Sequence, residues 1–144
     1  ALFFGTMISY AQGLALLFVA SKEYDMDIPL PKVVKIWRGG CIIRSTLLEI
    51  FYQAYAANPE LSNILLDSHI ATMLKSKTAN TRKFIATAVQ SGIPVSALAV
   101  SLGYFDAYRS AVMPTNLIQA QRDFFGAHTY QRIDEEGIFH SNWQ

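Results

Sequence analysis

One cysteine, Cys41, is all that the 144 residues contain, so no disulfide can close within the chain. The three histidines, His69, His128 and His140, stand far from it, and no Cys/His set has the spacing of a structural zinc site. So sparse a use of cysteine suits a reducing, cytosolic compartment. An excess of one charge is lacking as well. Twelve Lys and Arg face eleven Asp and Glu, a formal net charge of +1, and no segment gathers the basic ones. That excludes the broad electrostatic footprint of a nucleic-acid binder. The chain has no glycine-rich dinucleotide fingerprint, no phosphate loop and no nucleophile elbow. Strand-type alternation is almost absent.

What is present is apolar and helical. With 51% hydrophobic and 16% charged residues, the chain has the composition of a globular body with a core. It also has enough apolar residues to leave some surface for a partner subunit. Residues 1–21 carry no charge, which meets the length criterion for a membrane span. Gly5, Thr6, Ser9, Tyr10, Gln12 and Gly13 interrupt that run, and it lacks the basic segment and cleavage pattern of a signal peptide. It reads as a helix in the middle of a helical protein, not as a membrane anchor. The start, with no initiator Met and no capping residue before Ala1, reads as that of a fragment.

Helical spacing predicts an all-α fold, a bundle of about seven or eight helices with an extended C-terminal tail. The first helix is expected over residues 1–23, ended by the turn holding Asp27, Pro29 and Pro31. A short helix over 32–37 and a longer one over 42–57 follow, separated by Gly39-Gly40. A helical turn at 61–66 leads to a helix over 68–75, capped by Asp67 or Ser68. Further helices are expected over 79–90, over 96–109, and from Thr115 to a stop at Gly126. Residues 127–144 have no sustained period, yet hold Tyr130, Ile133, Ile138, Phe139 and Trp143. They read as an arm that docks elsewhere. The expected division is therefore a helical domain, 1–126, and a tail, 127–144.

Few residues carry chemistry by spacing alone. The stretch from Trp37 to Ser45 pairs two glycines with Arg38 and Arg44. It reads as a tight turn packed between helices, the alternative being an anion held on free backbone amides. Cys41 has no histidine nearby in sequence and reads as a packed thiol. Asp106 and Arg109, three apart on a helix, can form a surface pair. His69 and His140 read as surface or packing residues. Arg122, near the end of the last helix, and His128, just past Gly126, form the strongest candidate. A guanidinium grips phosphate or carboxylate through two parallel hydrogen bonds, and an imidazole can donate to a sugar hydroxyl or a carboxylate. The competing reading is an arginine on helix carbonyls beside a packed histidine.

Several blocks together resemble the C-terminal domain of the 6-phosphogluconate dehydrogenase family. They are Ile8-Ser9-Tyr10-Ala11-Gln12-Gly13, Trp37-Arg38-Gly39-Gly40-Cys41-Ile42-Ile43-Arg44-Ser45, Gly92-Ile93-Pro94-Val95 and Asn116-Leu117-Ile118-Gln119-Ala120-Gln121-Arg122-Asp123. Phe124-Phe125-Gly126-Ala127-His128-Thr129-Tyr130 and Phe139-His140-Ser141-Asn142-Trp143 complete the set. The resemblance covers essentially the whole chain in the family's order. It departs at Gly5-Thr6, Asn80-Thr81, Ser96 and Thr115, none of which touches Arg122 or His128.

The resemblance implies an NADP-dependent oxidoreductase of the pentose phosphate pathway. Such an enzyme oxidises 6-phosphogluconate at its 3-position and decarboxylates the product to ribulose 5-phosphate. The Rossmann domain that binds NADP, and the lysine and glutamate that move protons, would lie upstream of Ala1. This chain is then expected to hold no catalytic, cofactor or metal residue and to be inactive alone. It would supply dimerisation and two substrate contacts, Arg122 to the 6-phosphate and His128 to the sugar acid, carried into the neighbouring subunit's active site. The tail would cross the interface of a cytoplasmic homodimer. The alternative is a structural dimerisation domain without ligand contacts.

Overall fold

Helix α1, Leu2–Glu23, is apolar on most faces, and tertiary packing selects which face is covered. Phe4, Met7, Ile8, Ala11 and Leu14 recur at helical intervals and are fully buried. Leu2, Leu16 and Val19 remain exposed. By length and composition α1 would also span a membrane, yet its buried stripe lies at the centre of the hydrophobic core. Gly5 allows the close approach of Leu98, because a Cβ there would sit 2.6 Å from Leu98 Cδ2. Beyond α1 the chain turns through Asp25 and Asp27, both with left-handed φ, at 50° and 47°. The Ser21 hydroxyl accepts from the Ile28 amide at 2.7 Å across that turn.

The computed structural model describes residues 1–143, and Gln144, the last residue of the expected tail, lies outside them. Among the described residues the fold is all-α: six α-helices and one short 3-10 turn, slightly fewer than the seven or eight helices expected. After α1 come α2 (Leu30–Arg38), α3 (Leu47–Ala57), the 3-10 turn (Ile64–Leu66), α4 (Ser68–Gln90), α5 (Ser96–Tyr108) and α6 (Asn116–Gly126). Leu30 and Val34 of α2, with Leu48, Phe51 and Tyr55 of α3, join the α1 stripe. Ile64, Ile70, Leu74 and Phe105 close the core. Phe4 and Phe105 meet edge-on at 5.3 Å, as do Tyr10 and Phe51 at 5.4 Å.

Two helix boundaries differ from expectation. The helices expected over 68–75 and 79–90 are one continuous α4. No Gly or Pro separates them, so nothing interrupts the backbone hydrogen-bond ladder; the Thr78 and Thr81 hydroxyls turn back onto the Leu74 and Lys77 carbonyls of the same helix. The helix expected from residue 42 begins only at Leu47. Residues 42–46 form turns, with the Arg44 amide donating to the Cys41 carbonyl and the Leu47 amide to Ser45 Oγ. Of the two candidate caps for α4, Asp67 is the one used, its carboxylate accepting from the Ile70 amide at 2.9 Å. The chain divides into two packed units, Ala1–Asp106 and Ala107–Gln144. The second holds the end of α5, the segment after it, helix α6 and the tail.

Candidate functional site

In α6 the residues 119, 122 and 123 lie three and four positions apart and so share a face. Asp123 is fully buried in the last turn, where a carboxylate opposes the helix macrodipole and needs other donors. It has four. Its Oδ1 accepts from the Thr129 amide at 2.9 Å and lies 2.8 Å from His140 Nδ1. Its Oδ2 accepts from the Ser141 amide at 2.9 Å and from Trp143 Nε1 at 3.0 Å. Burial pushes the carboxyl's pKa upward, but the hydrogen bonds from His140, Ser141, Trp143 and Thr129 outweigh it and hold the group well below the usual carboxylate range. The ionised carboxylate can only accept, so His140 Nδ1 carries the proton.

These bonds fold the tail back along α6. Ala127 ends the helix in the left-handed conformation, φ 48°, and Thr129 repeats it at φ 61°. Tyr130 and Phe139 then exchange two backbone hydrogen bonds of 2.9 Å and stack their rings. Between them lies a hook in which Arg132 grips Asp134 through Nε and Nη2. The Tyr130 and Ser141 hydroxyls pair at 2.8 Å, and Phe124 packs edge-on against Trp143.

Arg122 and His128 are both exposed on this framework. Arg122 forms no ion pair among the described residues, and its Nη1 donates only to the neutral Gln119 Oε1, at 3.3 Å. His128 folds its ring over the glycine before the cap, so that a Cβ on Gly126 would meet Nε2 at 2.9 Å. The two side chains do not bond to each other. Gln119 connects Arg122 to the residue that follows His128, its Nε2 donating to the Thr129 carbonyl at 2.6 Å. An exposed guanidinium with no carboxylate partner, on the helix that leads into the turn bearing His128, is a group able to receive an anionic ligand.

Sequence reasoning left out Asp123 and Gln119 and treated His140 as a surface or packing residue. The signal for Asp123 was present: an acidic residue in the last turn of a helix, where it is disfavoured unless bonded. The earlier candidates have structural partners. Arg38 pairs with Glu49, and Tyr10 donates to the Ile43 carbonyl. Asp106 pairs with Arg82 of α4. No group of three or more His, Cys, Asp or Glu side chains able to hold a metal is found among the described residues.

An all-α domain ending in a braced helix and a folded-back tail, with an arginine and a histidine exposed at their junction, is the class of protein that this fold and site define. The chain belongs to the 6-phosphogluconate dehydrogenase family, as its C-terminal domain, whose family model matches residues 1–143. It is 50% identical over 143 residues to an NADP(+)-dependent, decarboxylating 6-phosphogluconate dehydrogenase of Bacillus subtilis, covering 99% of this chain and 30% of that protein. It is 48% identical to the decarboxylating enzyme of Escherichia coli, covering 99% of this chain and 31% of that one. A solved 6-phosphogluconate dehydrogenase from Plasmodium falciparum superposes with a TM-score of 0.90 at 42% identity, over 99% of this chain and 30% of that chain. The chain thus spans about three-tenths of the length of these relatives.

Proposed function

We propose that this chain is the dimer-forming, substrate-completing part of a cytosolic 6-phosphogluconate dehydrogenase that uses NADP to convert 6-phosphogluconate to ribulose 5-phosphate. Arg122 holds the 6-phosphate through paired N–H donors, and His128 donates to the sugar acid. Both are carried from one protomer to the substrate of its neighbour, with the tail, 127–144, crossing the dimer interface beyond the helical domain, 1–126. The named relatives support the reaction and the cofactor. The nucleotide does not fit the described residues, which contain neither a parallel sheet nor a glycine-rich turn into a helix. We place NADP and the proton-moving lysine and glutamate in the part of the relatives' length that this chain does not span, and assign no step of hydride or proton transfer to this domain.

The single observation that carries the substrate role is the Arg122 guanidinium, exposed and unneutralised by any carboxylate among the described residues. Support for a protein partner comes from the apolar side chains left in water on the same unit. Ile133 is 97% exposed, Leu117 80% and Phe125 76%, more than a surface keeps without a reason to bury it.

Arg122→Ala in the complete enzyme tests the assignment. Removing charge-assisted bonds worth about 1.5–3 kcal/mol each should raise KM for 6-phosphogluconate by roughly tenfold to a hundredfold. The dimer should stay intact by size-exclusion chromatography. An unchanged KM would leave the domain as scaffold alone.

A further inference from the structure

The side-chain amide of Gln119 has two chemically different ends, and α6 uses both. Its oxygen accepts from Arg122 Nη1 at 3.3 Å, one helical turn away. Its nitrogen donates to the Thr129 carbonyl at 2.6 Å, across the reversal that follows the helix. The amide of the same Thr129 is held by Asp123 Oδ1 at 2.9 Å. Residues 119 and 123 therefore grip one left-handed residue by its N–H and its C=O, and this residue directly follows His128.

Only a neutral amide can do this. A carboxylate at 119 would set an acceptor against the Thr129 carbonyl oxygen and place a negative charge on the Arg122 guanidinium. An apolar side chain would leave both partners unbonded. We propose that Gln119 is a positioning residue for the substrate. Its amide sets the Arg122 guanidinium in register with the turn that bears His128, and leaves the positive charge available to a phosphate dianion. The inference rests on the reading that Arg122 and His128 bind the sugar phosphate.

The test uses the complete dimeric enzyme with Gln119→Glu, which is isosteric, Gln119→Leu, Arg122→Ala, and Gln119→Leu combined with Arg122→Ala. Gln119→Glu should raise KM for 6-phosphogluconate about tenfold, with KM for NADP unchanged and kcat within about twofold. Gln119→Leu should raise it less. In the Arg122→Ala background it should add less than in the wild type, because the part that acts through Arg122 is already gone and only the Thr129 contact remains to be lost. If Arg122→Ala raises KM but both Gln119 variants leave it unchanged, the positioning role is wrong and the substrate role of Arg122 stands. If Arg122→Ala itself leaves KM unchanged, the functional reading fails and takes this inference with it. A loss of thermal stability or kcat at unchanged KM would make Gln119 merely structural. Should Gln119→Leu fail to assemble, the isosteric Gln119→Glu still decides the matter.

Discussion

Tyr55 is fully buried on α3, and its hydroxyl finds no hydrogen-bond partner among the described residues. Tyr55→Phe removes that oxygen and keeps the ring. An unsatisfied buried hydroxyl costs about 1–3 kcal/mol. The oxygen-sized gap left behind costs only a few tenths of a kcal/mol at about 24 cal/mol per Å³. The substitution should therefore stabilise the fold by about 1–2 kcal/mol. For a chain of this size that raises Tm by about 3–6 °C, read by calorimetry or circular dichroism at pH 7. A second limb follows from ionisation. Burial pushes the phenol well above its ordinary value near 10. The folded state thus holds this proton more tightly than the unfolded chain. The resulting stability is complete below the unfolded pKa and is lost as pH rises above it. Between pH 10 and 11 the wild type should lose about 1 kcal/mol more than Tyr55→Phe, close to the limit of 1.36 kcal/mol per pH unit. A Tm that falls by 2 °C or more in Tyr55→Phe, or identical alkaline limbs, would refute the reasoning.

Two other substitutions probe the second unit directly. Asp123→Asn keeps the size but turns one of two acceptor oxygens into a donor, so at least one of the backbone amides held by Asp123 loses its partner. Hydrogen exchange followed by NMR should show protection lost at the backbone amide facing the new nitrogen, that of Thr129 or of Ser141, with the core of α1 and α3 unchanged. The wild-type carboxyl is held below its ordinary value, so its contribution is present above pH ~4 and fades as the pH falls through the depressed folded value. Protection at Ser141 should persist at pH 4 and decline only in stronger acid, whereas a decline beginning near pH 6 would contradict the assignment. Gly126→Ala puts a methyl group into the His128 ring. Because that ring is exposed and can swing away, Tm should move by less than about 2 °C, within the range of a surface change. KM for 6-phosphogluconate in the complete enzyme should nevertheless rise several-fold. A large fall in Tm at unchanged KM would show that the glycine serves packing.

Local pattern was enough to place the helices that have clear stops. The run ending at Gln90 stops before Gly92 and Pro94, and the last helix stops at Gly126, because these residues act on the backbone within one or two positions. It was not enough at residues 75–79 or 42–46. In the first case polar residues look like a break, but without Gly or Pro among them the backbone ladder of α4 runs straight through. In the second, apolar Ile42 and Ile43 fit a helical face but lie in turns, and Ile42 is 99% exposed.

Sequence by itself determined the all-helical class and Arg122 and His128 as candidates, which rest on residue type and near-neighbour spacing, and the family, which rests on the resemblance of whole blocks. Tertiary structure alone decided what braces them. Asp123 draws its donors from 6, 17, 18 and 20 residues further on, and Gln119 finds its carbonyl 10 residues away. Those partners meet only because Ala127 and Thr129 both take left-handed backbone angles and return the tail to α6. Neither residue type announces such a reversal.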